Sequence, residues 1–496
     1  MPTSIQPKVT RVGGRCNVFS LFKHLSERLE PRFSFLLESL SEHKPLYSFL
    51  CFNPDYILTV KKDRPRVEEI LTERGEQILR RLQPQRKMPS AAHRAVEDRV
   101  ENRILALDRV EEYFPETALR RPPFFRRQVF FGGYLGYVAY DAVAPWVGFK
   151  RRAETPEVML GMHTTVLIYD HAREILLQVD NGVGGAGDVS QDLGKALKSY
   201  RAEGGRKDDV SGDISVEDFK SNVGQEEFSH MVEQCKEYIW SGDIFQVVVS
   251  RKVGRKTEAG DLAIYEALRR LNPSPYMFYL NFGSLRFVGS SPEALVSLNR
   301  EKITTVPIAG TRRRGWNKVD EGRMLRELKT DSKERAEHVM LVDLARNDVS
   351  KVSEPGSVQV RGFMTVKRFK HVMHLVTTVE GRLRRGMNSF DVLKCLFPAG
   401  TVTGAPKLRA MEVIEELEKE PRGPYAGAIG YMAFNGDMDW AITIRTIQLL
   451  NSTATVQAGA GVVADSQPRL EWIETENKMR SLVKAVGMAE AKVNVA

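Results

Sequence analysis

The chain has 496 residues, of which 42% are hydrophobic and 28% charged, and its formal net charge is +9. This length exceeds what one small core needs and predicts two to four domains or one large elaborated sheet system. No apolar run approaches the roughly 18 residues of a membrane span, and the first residues lack the apolar stretch of a secretory signal, so we expect a soluble cytoplasmic protein that binds no membrane.

The cysteines and the basic clusters exclude two further classes. The four cysteines are scattered without CxxC spacing, which favours reduced thiols over disulfides or zinc: Cys16, Cys51, Cys235 and Cys395. Basic clusters begin at Lys61, Arg80 and Arg120, but no recognised nucleic-acid module accompanies them. We therefore interpret them as solvated surface and expect no nucleic-acid partner.

The first part of the chain mixes helices and strands. SLFKHLSERL has helical periodicity, whereas LYSFLCF and YILTV are strand-like. Residues 62–125 are interpreted as charged helices broken at Pro84 and Pro89. FFGGYLGYVAYD has the composition of packed strands, and VMLGMHTTVLIYD and REILLQV predict two sheet strands. Residues 181–212 are poor in apolar side chains and form a candidate linker.

The second part alternates helices with strands. Helices are predicted at EEFSHMVEQCKEYIWSG and AIYEALRRLN, strands at DIFQVVVSR, YMFYLNF and LRFVGSS, further strands over 301–311 and helices over 317–349, before a long final helix. MAFNGDMDWAITI, with Asn435 and Gly436 at its turn, indicates an antiparallel hairpin. Without regular βαβ alternation, we predict an α+β fold of large, mainly antiparallel sheets covered by helices. The predicted division is an N-terminal domain over 1–205, a linker over 206–225 and a second domain over 226–496.

An acidic pattern, Glu-x-x-Glu, occurs twice in segments of helical character: Glu334 with Glu337, and Glu471 with Glu474. Side chains three positions apart on a helix point the same way, so each pair presents two carboxylates on one face. Four carboxylates brought together would repel one another unless a divalent cation that prefers oxygen ligands neutralised them. The pattern predicts a magnesium site, and two ordinary solvated charged faces are the alternative.

Polar and glycine-rich blocks follow one another through the second part: GDIFQ, SSPEA, PIAGTR, ERAEH, VMHLV, PAGTVTGAPK, PYAGAIGY, AITIRT, AGAGVVADS and the final ExxETENK. In these blocks the chain resembles the chorismate-binding enzymes, and among them component I, the large subunit, of anthranilate synthase. The resemblance spans essentially the whole chain and is strongest from Glu226 to Lys484. It implies the layered α/β sandwich of those enzymes.

The resemblance implies a site for chorismate, a dicarboxylate. One carboxylate would lie on magnesium, which Glu337 and Glu474 would bind directly and Glu334 and Glu471 through water. The other carboxylate would be held by donors and cations: Tyr425, Arg445, the backbone at Gly459, Ala460 and Gly461, and Lys478. A missing Cβ lets an amide approach an anion closely, although a tight turn alone would also explain the glycines.

The resemblance also assigns roles in the reaction. Glu293 matches the position that protonates the departing ring hydroxyl, which requires a raised pKa. His374 matches a histidine suited to ring proton transfer and pyruvate loss, although a lone histidine on an apolar strand is otherwise a satisfied core residue. Gly310 and Thr311 match substrate contacts, and Thr401 an active-centre position; threonines in such turns also cap the backbone.

Two positions distinguish members of the family. Isochorismate and salicylate synthases carry a lysine base where this chain has Gln246, and without that amine water is a poor nucleophile. Aminodeoxychorismate synthases typically have PIKGT, with a nucleophilic lysine, where this chain has PIAGT with Ala309. The resemblance thus implies addition of ammonia at ring carbon C2, loss of the C4 hydroxyl and elimination of pyruvate to give anthranilate.

A partner and an inhibitor follow from the same resemblance. No cysteine stands in a glycine-flanked elbow, so we expect a separate glutamine amidotransferase subunit, component II, to supply ammonia. FLLES followed by YSFLCFNP, together with NPSPYM, matches the tryptophan-binding blocks, and the pocket would be lined by Ser39, Pro275, Tyr276 and Met277. Pro45 and Leu46 replace the usual GR pair, and an apolar strand edge with a Pro-rich turn is the alternative.

Two other functions remain open from the sequence. Aminodeoxychorismate synthase component I is the second enzyme hypothesis, because some relatives use both pathways. A binding subunit that has lost its chemistry is the third, and Glu293, His374 and the four glutamates of the magnesium pattern argue against it.

Overall fold

The computed structural model of the chain describes residues 7–40, 46–62, 64–82, 105–114, 121–125, 127–148, 153–182, 189–201, 214–369 and 372–493. Strands β1 to β12 are Lys8–Gly13, Phe33–Glu38, Tyr47–Phe52, Tyr56–Lys61, Arg64–Ile70, Gly133–Val138, Val158–His163, Thr165–Asp170, Ile175–Asp180, Lys220–Ser221, Gln246–Lys256 and Tyr276–Phe282. Strands β13 to β23 are Leu285–Ser291, Ala294–Asn299, Lys302–Thr305, Ile308–Arg313, Gln359–Arg368, Val372–Arg382, Gly404–Ala405, Ala428–Ala433, Met438–Ile442, Thr446–Leu450 and Thr453–Val462. Helices α1 to α12 are Val18–Leu29, Glu73–Leu82, Leu105–Glu111, Ala144–Val147, Val189–Ser199, Gln225–Trp240, Asp261–Leu271, Lys318–Thr330, Ser332–Val352, Ser389–Leu396, Lys407–Leu417 and Pro468–Val493.

These strands form two large sheets, and every pairing within the described ranges is antiparallel. The first sheet has the order β1-β9-β8-β3-β2-β12-β13-β22-β23-β11-β10, with β19 beside β11. The second has the order β16-β18-β15-β14-β21-β20-β6-β7-β4-β5, with β17 beside β18. The predicted fold class, mainly antiparallel sheets under helices, is therefore confirmed.

The sheets enclose the main apolar core. Phe35 and Phe287 of the first sheet meet Tyr137 and Trp440 of the second, and the rings of Tyr137 and Phe287 lie 4.8 Å apart, edge to face. The other face of the first sheet lies under helices α1, α7 and α12, which bury one apolar stripe each. The result is a layered sandwich with α12 fixed firmly against the first sheet.

The predicted hairpin forms, and two other local predictions need correction. The Asn435–Gly436 hairpin forms between β20 and β21, with Gly436 at a φ of 80°. Residues 62–125 are not all helical, because Arg64–Ile70 pairs with β4 as strand β5. VMLGMHTTVLIYD is two strands, β7 and β8, rather than one. Pro84 and Pro89 lie outside the described residues.

The candidate linker also contains regular structure. Helix α5 forms at 189–199, packs beside α1 and buries Leu193 and Ala196 in their shared apolar cluster, so the stretch 181–212 is not wholly irregular. Both sheets combine strands from before and after residue 205, as in the pairing of β2 with β12 and of β6 with β20. The division at 206–225 stays a prediction. No helix of the described ranges is long and apolar enough to cross a membrane.

Candidate active site

The predicted site residues come together where the ends of the two sheets meet helices α9 and α12. Strands β11 and β23 bring Gln246, Gly459 and Gly461, and strands β16 and β18 bring Gly310 and His374. An added Cβ at Gly310 would lie 3.1 Å from a carboxylate oxygen of Glu334, and one at Gly461 would lie 4.0 Å from Glu337. One cleft therefore joins elements from both sheets.

Helices α9 and α12 present the two acidic pairs to this cleft. Asp331 caps α9 by accepting the Glu334 backbone N–H at 3.1 Å, which places the first pair in the opening turns of the helix. Burial raises the pKa of Glu337, and the charges of Glu334, on its own helix, and Glu474, on α12, raise it further. Burial raises the pKa of Glu471, as does the charge of Glu474. The four carboxylates are thus electrostatically coupled across the cleft rather than dispersed in solvent.

All four carboxylates have protein groups beside them, and Ser466 is close enough to Glu471 to lower its pKa. Arg312 binds Glu334 at 2.7 Å, Lys478 pairs with Glu474 at 2.6 Å, and Gln246 Nε2 donates to Glu337 Oε1 at 3.2 Å. Within the described ranges, no three His, Cys, Asp or Glu side chains are grouped closely enough to hold a metal ion as they stand. The set nevertheless suits a hard divalent cation, because its donors are all oxygens and their mutual repulsion already raises the pKa of two of them. The metal itself stays a prediction.

The opposite side of the cleft is cationic. Arg445 has a left-handed φ of 51°, and its carbonyl accepts the Ser290 N–H at 3.0 Å, which fixes the backbone at this turn. Its guanidinium has no hydrogen bond or ion pair with any described residue, and burial lowers its pKa against the smaller raising effects of Glu474 and Tyr425. A cation without a hydrogen-bonded partner favours an anionic ligand. The role of Arg445 in binding a carboxylate stays a prediction.

Strand β23 brings bare backbone and a tyrosine beside this arginine. Lys478 Nζ donates to the Gly459 carbonyl at 2.7 Å, and a Cβ on Gly459 would lie 2.9 Å from the Tyr425 hydroxyl. Burial raises the pKa of Tyr425 to about 12, so it remains a neutral hydrogen-bond donor. Gly461 is equally crowded, since a Cβ there would lie 2.8 Å from Gln246 Nε2. The side chain of Ala460 packs in the core on the other face, which leaves only its backbone for a ligand.

Glu293 lies between β13 and β14 at the inner wall of the cleft. It is 7% exposed, and burial raises its pKa to about 8, against smaller lowering effects of Thr401, the Ile308 backbone and Lys478. The Thr401 hydroxyl is close enough to lower that pKa, yet it has no hydrogen-bond partner of good geometry among the described residues. A carboxyl group with this pKa is protonated at neutral pH and can act as a general acid.

His374 is held in one tautomer. Its Nδ1 lies 2.9 Å from the Gly310 carbonyl oxygen and 3.2 Å from the Thr311 hydroxyl. A carbonyl can only accept, so Nδ1 carries the proton and Nε2 keeps a free lone pair. Burial lowers the pKa of His374, and the charge of Arg445 lowers it too. With this arrangement the histidine can act as a neutral base near Arg445, and its catalytic role stays a prediction.

The two positions that distinguish family members adjoin the same site. Gln246 sits between Gly461 and Glu337, and its Oε1 is buried without a hydrogen-bond partner among the described residues. Ala309 is 7% exposed and precedes the left-handed Gly310, whose φ is 66°. The sequence did not identify Arg312, which bridges Glu334 and Asp331 at 2.7 Å each; its place directly after PIAGT was the available indication.

The proposed tryptophan blocks are neighbours in the first sheet. Strand β2 pairs with β12, so Met277 lies opposite Glu38, and the Leu40 N–H donates to the Ser274 carbonyl at 2.9 Å. Ser39, which follows β2, and Pro275, which precedes β12, therefore lie at the same end of this strand pair. The Tyr276 hydroxyl donates to Asp439 Oδ1 at 3.1 Å, and burial raises the pKa of Asp439 to about 7. The sequence did not predict a role for Asp439. Tryptophan binding at this place stays a prediction.

Comparison with known proteins identifies the family. Residues 66–484 match the family described as chorismate binding enzyme. The chain is 40% identical over 485 residues to anthranilate synthase component 1 of Aquifex aeolicus (strain VF5), an alignment that covers 95% of this chain and 92% of that protein.

Solved structures share the fold. The crystal structure of anthranilate synthase component I from Streptococcus pneumoniae TIGR4 matches with a TM-score of 0.72 at 33% identity, covering 89% of this chain and 92% of that chain. The menaquinone-specific isochorismate synthase of Escherichia coli matches with a TM-score of 0.68 at 17% identity, covering 98% and 96%, which extends the likeness of fold alone.

Proposed function

The chain belongs to the chorismate binding enzyme family, and we propose that it is the component I subunit of an anthranilate synthase. In this role it would convert chorismate and ammonia to anthranilate and pyruvate through an aminodeoxyisochorismate intermediate, the first committed step of tryptophan biosynthesis. Its relatives over nearly the whole chain length carry that name, which supports the assignment.

The two charged sides of the cleft support a dicarboxylate substrate. Arg445 has no protein partner among the described residues and is suited to bind one carboxylate, with Tyr425, Lys478 and the Gly459 and Gly461 amides beside it. Bound between Glu337 and Glu474, with Glu334 and Glu471 acting through water, magnesium would neutralise the second carboxylate. Gly310 and Thr311 form the wall next to the acidic pair on α9.

Two side chains are suited to move protons. Glu293, protonated at neutral pH, would donate to the C4 hydroxyl as it leaves as water while ammonia bonds to C2. His374 would accept the C2 proton at Nε2 as the bond between C3 and the enolpyruvyl oxygen breaks, and the departing enolpyruvate would take up a proton at its methylene carbon to become pyruvate. Thr401, beside Glu293, would hold the acid in place.

One observation carries the choice of reaction: the group at position 246 is an amide that donates to Glu337. An amide cannot deprotonate water, which disfavours isochorismate formation. Ala309 offers no nucleophile, which disfavours aminodeoxychorismate synthesis through a covalent intermediate. Direct attack by ammonia remains.

The ammonia source and the regulation complete the proposal. A separate glutaminase subunit, component II, would supply ammonia in the cytoplasm, with free ammonium as a weaker substitute. Tryptophan would bind at Ser39, Pro275, Tyr276 and Met277 and inhibit the reaction. The adjacency of β2 and β12 supports one pocket there rather than two separate blocks.

The test is to incubate the purified chain with chorismate, magnesium and ammonium and to identify the product by mass. Anthranilate supports the proposal, whereas 4-amino-4-deoxychorismate would assign the chain to aminodeoxychorismate synthase. Glutamine in place of ammonium should give no product until component II is added. Turnover of glutamine by the chain alone would refute the partner.

A further inference from the structure

A recess of about 40 Å³ adjoins Glu293 and Thr401 and continues along helix α9. Leu341, Ala345 and Asp348 line it from the same face of α9 that carries Glu337, so it extends away from the acidic pair. Asp348 lies eleven positions beyond Glu337, about 16 Å along the helix at 1.5 Å per residue. The space is sufficient for about three or four water molecules, since one needs about 10–15 Å³.

The wall of the recess combines apolar and polar side chains. Leu295, Leu344 and Leu396 are among its apolar residues, and Glu293, Thr305, Asp348 and Thr401 are its polar ones. At the inner end, Thr401 Oγ1 is buried without a hydrogen-bond partner among the described residues, next to the Glu293 carboxyl. An unpaired buried hydroxyl is costly, and water in the recess would satisfy it.

The far end is a buried ion pair. Lys407 Nζ lies 2.5 Å from Asp348 Oδ2, and each side chain is 8% exposed. The other carboxylate oxygen, Oδ1, lies 3.5 Å from Lys351 Nζ, whose side chain is 40% exposed. Asp348 therefore bridges a buried ammonium group to one that reaches solvent. Burying such a pair is costly, and Lys407, the last residue of PAGTVTGAPK, has no role in the reaction described above.

We propose that water in this recess returns a proton to Glu293 after each turnover, with the Asp348–Lys407 pair as the proton source at its far end. The inference rests on the proposed function, in which Glu293 loses a proton to the departing hydroxyl. A recess water gives a proton to the Glu293 carboxylate and takes one from the Asp348 carboxyl group, which lines the recess. Asp348 receives that proton from the Lys407 ammonium, a proton from Lys351 then passes through Asp348 to the Lys407 amine, and solvent restores Lys351. One proton enters from solvent for each one that Glu293 donates, and no oxidant or reductant is needed.

The first experiment fills the recess without changing a charge. Ala345→Val should lower kcat with ammonium by about tenfold or more, within the range of general acid effects, while KM for chorismate stays within about twofold because the substrate contacts are intact. The solvent deuterium isotope effect on kcat should increase, and imidazole, a small acid that can enter through the cleft, should restore part of the rate. Asn347→Leu, an added aliphatic side chain at an exposed position of α9, is the matched control and should leave these values unchanged.

The second experiment removes the proton source. Asp348→Asn combined with Lys407→Met eliminates both charges together, because one alone would leave an unpaired buried charge. The same fall in kcat, larger isotope effect and imidazole rescue are expected. Thermal unfolding identifies a variant that does not fold, and Lys351→Met, a change at a half-exposed side chain, then provides the same test with a smaller expected fall.

The outcomes separate this proposal from the function on which it rests. Unchanged kcat in the folded variants, or a fall without an isotope effect and without rescue, would overturn the proton route while the wild-type protein still makes anthranilate. If the wild-type protein makes no anthranilate from chorismate and ammonium, the proposed function fails first.

Discussion

Gln246 donates a 3.2 Å hydrogen bond from Nε2 to Oε1 of Glu337, and this contact joins strand β11 to helix α9 across the cleft. The bond lowers the pKa of Glu337 against the burial and the neighbouring charges that raise it. The amide at position 246 therefore favours the ionised form of the Glu337 carboxylate, which a cation needs, in addition to excluding a base from that place.

Gln246→Leu should weaken magnesium binding. Without the donor, the pKa of Glu337 rises further, and the magnesium concentration that gives half-maximal rate should increase about tenfold, as for other groups that orient metal ligands. Steady-state rates over a magnesium titration measure this. Gln457→Leu is the matched control, because that amide donates to Ser250 Oγ at 2.8 Å on neighbouring strands. An unchanged magnesium dependence would contradict the role of Gln246.

Glu293→Gln should abolish turnover and leave chorismate binding nearly intact. The wild-type rate should fall as the pH rises through about 8, because the acid must be protonated to act and its pKa is about 8. A loss of activity of about 10²-fold or more is expected for the amide. The pH profile of kcat provides the measurement, and a rate that keeps rising beyond pH 9 would exclude Glu293 as the acid.

The same substitution should stabilise the fold. The pKa of Glu293 is about 8 when folded and near its ordinary value when unfolded, so the unfolded chain releases the proton more easily. The stability of the wild-type protein is therefore full below the ordinary pKa and declines as the pH rises toward 8. Glu293→Gln has no such loss. At pH 7 its free energy of unfolding should exceed that of the wild-type protein by about 1–3 kcal/mol, with a higher unfolding temperature. At pH 4 the two proteins should be equally stable. If the variant and the wild-type protein unfold at the same temperature at pH 7 as well as at pH 4, the pKa of Glu293 is not raised.

Features that depend on local spacing could be predicted from the sequence, and contacts between residues far apart in the chain could not. The spacing of Glu334 and Glu337 on one helix was sufficient to predict a shared acidic face, and α9 forms as expected. The contact of Lys407 with Asp348, 59 residues apart, depends on how α11 packs beside α9. No short-range periodicity indicates such a pair.

Arg445 should be essential for substrate affinity. Arg445→Lys keeps the charge but loses the planar pair of donors that suits a carboxylate, so KM for chorismate should rise about tenfold; Arg445→Met should cost more, about 10²-fold in kcat/KM. Initial rates over a chorismate series measure both. Arg469→Met, an exposed arginine at the start of α12, is the control. An unchanged KM in both Arg445 variants would remove this residue from the carboxylate site.

Tyr276→Phe should reduce inhibition by tryptophan. The Tyr276 hydroxyl donates to Asp439, which forms no ion pair with a described residue. The substitution therefore removes the hydrogen bond that lowers the pKa of this carboxyl group and holds the wall of the proposed pocket. Relative to each variant's own uninhibited rate, the tryptophan concentration for half inhibition should rise about tenfold, or about 1.4 kcal/mol. Tyr279→Phe is a close control, because its hydroxyl donates to Asp261 at 3.0 Å from the same strand but does not belong to the pocket. If both tyrosine variants respond to tryptophan as the wild-type protein does, position 276 does not form the pocket wall. If millimolar tryptophan does not inhibit the wild-type protein, the pairing of β2 with β12 has only a structural role.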